Sequence, residues 1–128
     1  VHAHLGIALS QNDRLEEAVE CLRRAVALGP DSALTQYNLA SLLLRRREFE
    51  EAADHAAVAV RLDPDQPTMR GALANALMKL GRFQEAAEHL RHGIDKVGGD
   101  GGLRARLEQM LAACDARAQA TGTTTEGR

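Results

Sequence analysis

Few side chains in this sequence have the types and spacing that could support chemistry, and the most conspicuous of them form a repeated column. Cys21, His55 and His89 follow one another at one constant interval. Thiolate and imidazole groups are zinc ligands, so three of them at one ion would make a metal site. Neighbouring helices lie about 8–10 Å apart, however, whereas zinc–ligand bonds measure about 2.0–2.3 Å. We therefore expect this column to reflect a structural repeat.

Other candidate motifs are incomplete. His89 and His92 would share one side of a helix, but two ligands without a third make a poor metal site. The glycine-rich segment 98–102 lacks the Gly-Lys-Ser or Gly-Lys-Thr ending of a phosphate-binding loop. No nucleophile accompanies a base in a recognisable motif. We expect no metal, no cofactor and no catalytic residue, and hence no enzyme.

Composition and charge argue against several classes of partner. The formal net charge is -2, from 16 Lys and Arg against 18 Asp and Glu, which gives no strong field to attract nucleic acid or an anionic membrane. The two cysteines, Cys21 and Cys114, have no zinc-module spacing, and no apolar run approaches the roughly 20 residues of a membrane-spanning helix. We expect a cytoplasmic protein that binds neither nucleic acid nor membrane.

A period of about 34 residues organises the chain. A similar short pattern that ends in alanine begins at Arg14, at Glu48 and at Arg82. Further columns keep the same interval: Leu5, Leu39, Leu73 and Leu107; Leu9, Leu43, Leu77 and Leu111; Pro30 and Pro64. Within each period the apolar residues recur at helical spacing in two segments, which indicates two helices per repeat.

The turns between the segments set the predicted helix boundaries. Asn12-Asp13 and Leu80-Gly81 are favourable turn sequences because Asn, Asp and Gly tolerate positive φ, whereas Arg47 in the second turn fits poorly. No apolar residue occurs from Thr121 to Arg128, so we expect a domain over 1–119 and a disordered tail over 120–128. The predicted helices span 1–11, 14–28, 33–46, 48–61, 67–80, 82–97 and 101–118.

With its period and its order of Leu, small residue, Leu and then Ala, the sequence resembles the tetratricopeptide repeat family. The resemblance covers residues 1 to about 119 and departs from the family pattern at its Trp and Tyr positions. The Trp positions hold His2, Gln36 and Arg70, and the Tyr positions hold Leu9, Leu43 and Leu77. The resemblance implies an all-α solenoid of three helix-turn-helix units and a C-terminal capping helix.

At the N-terminal end, the first unit begins about two residues late and leaves Val1, Leu5 and Ala8 uncovered. Two explanations remain open: either the chain is a fragment of a longer protein, or this face pairs with a second copy. We favour the fragment because the sequence does not begin with Met.

In this family the first helix of each unit lines a concave groove that binds a peptide or a partner helix. Tyr37 offers a large apolar face with one hydroxyl, and Arg45 and Lys79 favour an acidic partner. Thr68 and Gly71 fall at further groove positions. The positions that would grip a chaperone carboxylate read Ala3, Ile7, Asn38, Thr68 and Ala72, of which only Asn38 matches, so we do not expect that partner class. The residues that we expect to bind the partner are Gln11, Tyr37, Asn38, Ser41, Arg45, Asn75, Met78 and Lys79.

The leading hypothesis is thus a protein–protein interaction module. Two alternatives stay open. One is a substrate-recruiting arm of a larger enzyme of glycosyltransferase or sulfotransferase type, and the other is self-association through the N-terminal helix.

Overall fold

The computed structural model describes residues 14–29, 31–99 and 101–126, with side chains up to residue 120. Within these ranges the protein is entirely helical and contains no strand. The contacts divide the chain into unit 1, residues 1–64, and unit 2, residues 65–128. The helices are α1 (Leu15–Leu28), α2 (Ala33–Arg45), α3 (Phe49–Leu62), α4 (Pro67–Lys79), α5 (Phe83–Lys96) and α6 (Gly101–Glu126).

Small residues and leucines form the core of unit 1. Helix α2 packs against α1 on one side and against α3 on the other. Ala40 of α2 and Ala52 of α3 are completely buried, as are Leu39 and Leu43. Because alanine projects only a methyl group, the two helices of this hairpin can approach closely. The prediction of two helices in this repeat is confirmed.

Unit 2 repeats the hairpin and adds the last helix. Helix α4 packs against α5, and α6 packs against both. Ala74 and Ala86 are completely buried, like their counterparts in unit 1. Leu107 of α6 is 2% exposed. Its Cδ2 atom lies 3.0 Å, and its Cδ1 atom 3.7 Å, from where a Cβ would stand on Gly71 and on Gly93, respectively. These two glycines make room for the leucine.

Both hairpins turn through the same backbone motif. After α2, the N–H of Arg47 donates to the carbonyl of Leu44 and that of Glu48 to the carbonyl of Leu43, at 3.0 and 2.9 Å. After α4, Gly81 and Arg82 make the equivalent two bonds. This is the Schellman arrangement, which needs a left-handed residue just after the helix. Gly81 supplies it with φ 79° and Arg47 with φ 65°, so the poor fit predicted for Arg47 is confirmed.

Two helices begin at residues that favour a helix N-terminus. The hydroxyl of Ser32 accepts a hydrogen bond from the N–H of Thr35 at 3.2 Å and so caps α2. Pro67 begins α4, where its fixed φ suits a first turn and its missing N–H leaves no donor unpaired. Helices α1 to α5 begin and end within one residue of the predicted boundaries.

The last helix departs from the prediction. We expected it to end at 118, but the backbone of α6 remains helical to Glu126. Alanine is the best helix former, and a threonine costs only about 0.7 kcal/mol relative to it, so without a proline nothing stops the helix sharply. The predicted first helix, 1–11, lies outside the described residues, and disorder beyond 119 stays a prediction. None of the helices in the described ranges is long and apolar enough to cross a lipid bilayer.

Candidate partner-binding surface

Four of the predicted partner-binding residues lie on one side of α2, and we call them the α2 surface: Tyr37, Asn38, Ser41 and Arg45. Their spacing keeps them on one helix face, next to the buried stripe of Leu39 and Leu43. Tyr37, Asn38 and Ser41 are half-buried, and Arg45 is exposed.

The α2 surface offers unengaged polar groups beside an apolar patch. Among the described residues, no hydrogen bond or ion pair involves the side chains of Tyr37, Asn38 or Arg45. The next arginine, Arg46, instead pairs with Glu48 at 2.7 Å. Leu34, at the start of α2, is 61% exposed. The helix therefore presents an apolar side chain at its N-terminal end and a free guanidinium at its C-terminal end.

In unit 2 the equivalent face belongs to α4, and we call Asn75, Met78 and Lys79 the α4 surface. Asn75 and Met78 are half-buried, and Lys79 is exposed. Neither Asn75 nor Lys79 has a side-chain partner among the described residues. Asn75 takes the place of Ser41, and Lys79 that of Arg45, one repeat period later. Gln11, the first predicted binding residue, lies outside the described residues.

Gly71 corrects one of our expectations. We predicted that it lines the groove, but it is buried and faces Leu107 of α6. The position that holds Tyr37 in unit 1 thus serves packing in unit 2. The family's groove positions were counted on the first helices alone, so the count missed that α6 covers this part of α4.

A shallow cavity of about 310 Å³ lies in unit 2 and is lined by Thr68, Gly102, Leu103 and Arg106. Thr68 was a predicted groove residue, whereas Gly102, Leu103 and Arg106 of α6 were not predicted. The repeat held a signal for Arg106, which stands one repeat period after Ala72, a position already assigned to the groove. The cavity therefore extends the candidate surface of unit 2 onto α6.

The histidine column takes part in two equivalent polar pairs. In unit 1, Nδ1 of His55 lies 2.8 Å from Oε1 of Gln36, a side chain that is only 3% exposed. In unit 2, Nδ1 of His89 lies 2.9 Å from Nη1 of Arg70. Burial lowers the pKa of both histidines, and beside His89 the charge of Arg70 lowers it further. Each pair joins the first and second helix of one hairpin.

The same pairings involve two of the histidines that were considered as metal ligands and rejected. His89 points its Nδ1 at Arg70, and Nε2 of His92 lies 3.4 Å from Oδ1 of Asp65. In the part of the chain that the structure describes, no group of three His, Cys, Asp or Glu side chains is placed to hold a metal ion.

Two family models, both described as tetratricopeptide repeat, match residues 4–67 and 43–114. The sequence has no significant match among curated proteins.

Several solved structures share the fold. The type III secretion translocator chaperone SycD of Yersinia enterocolitica aligns with a TM-score of 0.84 at 16% identity, over 92% of this chain and 83% of that one. The Sgt2 domain of Aspergillus fumigatus aligns with a TM-score of 0.83 at 19% identity, over 94% and 79%. The second tetratricopeptide repeat domain of human RPAP3, in complex with an HSP70 peptide, aligns with a TM-score of 0.80 at 22% identity. The alignment covers 89% of this chain and 92% of that one. At these identities the likeness concerns the fold.

Proposed function

We propose, from the premise that this chain belongs to the tetratricopeptide repeat family, that it is an interaction module that binds a peptide or a helix of another protein. Domains of the same fold support this proposal, because the human RPAP3 domain holds an HSP70 peptide and SycD holds a peptide of the translocator YopD. The observation that carries the proposal in this chain is the α2 surface, where an aromatic ring, an amide and a guanidinium lie on one helix face without partners among the described residues.

The chemistry of the α2 surface defines what the partner needs. Tyr37 provides a rigid apolar face with one hydroxyl, and tyrosine and arginine are among the side chains that most often dominate binding energies. Asn38 can both donate to and accept from a peptide backbone. Arg45 can hold a carboxylate through two parallel hydrogen bonds. The partner segment should therefore carry an apolar side chain for Leu34 and Tyr37 and an acidic side chain for Arg45.

We propose that the α4 surface contributes in the same manner. Lys79 supplies a second cation, and Asn75 a second amide. Met78 adds a flexible apolar contact that can adapt to different side chains.

The partner we propose is not a chaperone tail. Several structures of similar fold hold HSP70 or HSP90 peptides. In this chain two of the matching positions are Thr68 and Ala72, where a clamp of that kind needs cations. An internal segment with an acidic and an apolar residue fits the α2 surface better than a run of terminal carboxylates does.

Replacing Tyr37 and Arg45 together by alanine tests the proposal. A partner is first identified by affinity capture with this protein and verified with purified components. The double substitution should then raise the Kd at least about tenfold, because loss of one such anchor commonly costs about 2 kcal/mol. Circular dichroism should show unchanged helix content, since both side chains lie outside the core.

Arg24→Ala is the matched control for charge. Arg24 is exposed on α1, the second helix of its repeat, so its removal lowers the net charge without touching the α2 surface. An unchanged Kd for the Tyr37→Ala, Arg45→Ala variant, or an equal loss for Arg24→Ala, would show that the partner binds elsewhere.

A further inference from the structure

The two equivalent polar pairs respond differently to a proton. Arginine can only donate hydrogen bonds, so Nδ1 of His89 must accept from Nη1 of Arg70 at 2.9 Å. An accepting Nδ1 carries no proton, which makes the His89 ring neutral with its hydrogen on Nε2. Protonation of Nδ1 would remove the acceptor and leave two cations in contact.

The pair in unit 1 keeps its hydrogen bond when its histidine is protonated. Oε1 of Gln36 is an acceptor, so Nδ1 of His55 donates to it in the neutral and in the charged ring alike. Nε2 of His55 also lies 3.7 Å from a carboxylate oxygen of Glu51, which favours the charged form. Glu51 is itself held by Arg23 through bonds of 2.8 to 3.2 Å. Acid therefore preserves the hydrogen bond in this hairpin.

The charged groups that act on His89 lie on α4 and α5. Arg70 of α4 and His92 of α5 both lower the pKa of His89, whereas Glu85 and Glu88 of α5 raise it. The charged side chains by which α6 meets α5 are directed elsewhere. Arg104 donates to the carbonyl of Val97, Asp115 pairs with Arg91, and Arg117 lies over the ring of Phe83.

We propose that His89 is an acid-sensitive contact between α4 and α5, so that its protonation loosens the hairpin of unit 2 while the equivalent hairpin of unit 1 keeps its polar pair. The proposal goes beyond partner binding and does not depend on it. It would give the two units, which otherwise repeat one design, unequal stability at low pH.

The direction of the pH dependence follows from linkage. Burial and Arg70 hold the pKa of His89 below the ordinary histidine value. The unfolded chain therefore binds this proton more readily than the folded one. Stability due to His89 is then fully present above the unfolded value of about 6.5, and it is lost as the pH falls through the folded pKa.

Proton NMR titration of the full chain tests the proposal without any substitution. The resonances of His89 should titrate at a lower pH than those of His55, and both below the ordinary histidine value of about 6.5. Titration of His89 at or above the pH of His55 would overturn the proposal.

The substitution Arg70→Gln would create a histidine–glutamine pair in unit 2, like the pair of His55 and Gln36 in unit 1. It should raise the measured pKa of His89, because the amide can accept from a protonated ring. It should also reduce, by about half or more, the fall in urea midpoint between pH of about 7.5 and about 5.5. His92→Gln is the comparison variant: His92 lowers the pKa of His89 less than Arg70 does, so this variant should keep more of that fall. An Arg70→Gln variant that keeps the full acid loss would overturn the proposal.

Discussion

Arg47 holds a backbone conformation that suits glycine, so Arg47→Gly should stabilise the protein. Arg47 and Gly81 end equivalent helices, make the same two backbone hydrogen bonds and adopt similar φ angles of 65° and 79°. In that left-handed region a Cβ lies too close to the neighbouring carbonyl, which costs about 1–2 kcal/mol. The glycine variant also has a more flexible unfolded chain, and this reduces the free energy of unfolding by about 0.4–1 kcal/mol. We therefore expect a net gain of about 0.5–1 kcal/mol.

Urea and thermal unfolding followed by far-UV circular dichroism would measure this gain. For a chain of 128 residues the entropy of unfolding is about 0.27 kcal/mol per kelvin, so the Tm should rise by about 2–4 °C. The reverse substitution, Gly81→Ala, should lower stability by about 1 kcal/mol. Packing against other parts of the protein is not the cause, because no described atom beyond the two adjacent residues lies within 4 Å of a Cβ built on Gly81.

Arg47→Ala separates the backbone from the side chain. It removes the exposed guanidinium and keeps the Cβ, so stability should stay within about 0.5 kcal/mol of the parent. If Arg47→Ala stabilises as much as Arg47→Gly does, the gain comes from the lost charge, and the argument from backbone strain is wrong.

Other substitutions test packing and capping, each measured by urea unfolding. Gly93→Ala should stabilise by about 0.5–1 kcal/mol, because a Cβ there would meet its neighbours at 3.5 Å or more, and alanine is the better helix former. Gly71→Ala should raise stability by about 1 kcal/mol less than Gly93→Ala does, because its Cβ would stand 3.0 Å from the buried Leu107. Equal effects at the two glycines would contradict the assigned contact. Ser32→Ala should cost about 1 kcal/mol by leaving the N–H of Thr35 without its cap, while Ser32→Asp, which keeps an acceptor, should cost much less.

The sequence predicts most of this fold because the repeat presents equivalent positions more than once. Ala52 and Ala86 occupy the same position in successive repeats, and each is completely buried in its hairpin. The turns are equally predictable, since Gly81 marks the left-handed position that Arg47 must also adopt. The end of α6 was placed too early, at 118, because no proline marks where this helix stops.

The partner-binding surface was less predictable. A repeat tells which positions are equivalent but not which neighbour each of them meets. Tyr37 is half-buried on the α2 surface, whereas the equivalent Gly71 lies beneath Leu107. Arg106 was missed for the converse reason, because a closing helix can also line a cavity. The repeat spacing identifies Gly71 and Arg106 as equivalents of Tyr37 and Ala72, but it does not show which residues they contact.

The glycines that receive Leu107 determine which hairpin the closing helix can fit. The equivalent positions in unit 1 are Tyr37 and Ala59, whose side chains would fill the space that the leucine needs. A helix such as α6 therefore suits the hairpin that carries Gly71 and Gly93 and is mismatched to the other. Rearranged or duplicated versions of this chain would close correctly only if the hairpin with the two glycines remained next to that helix.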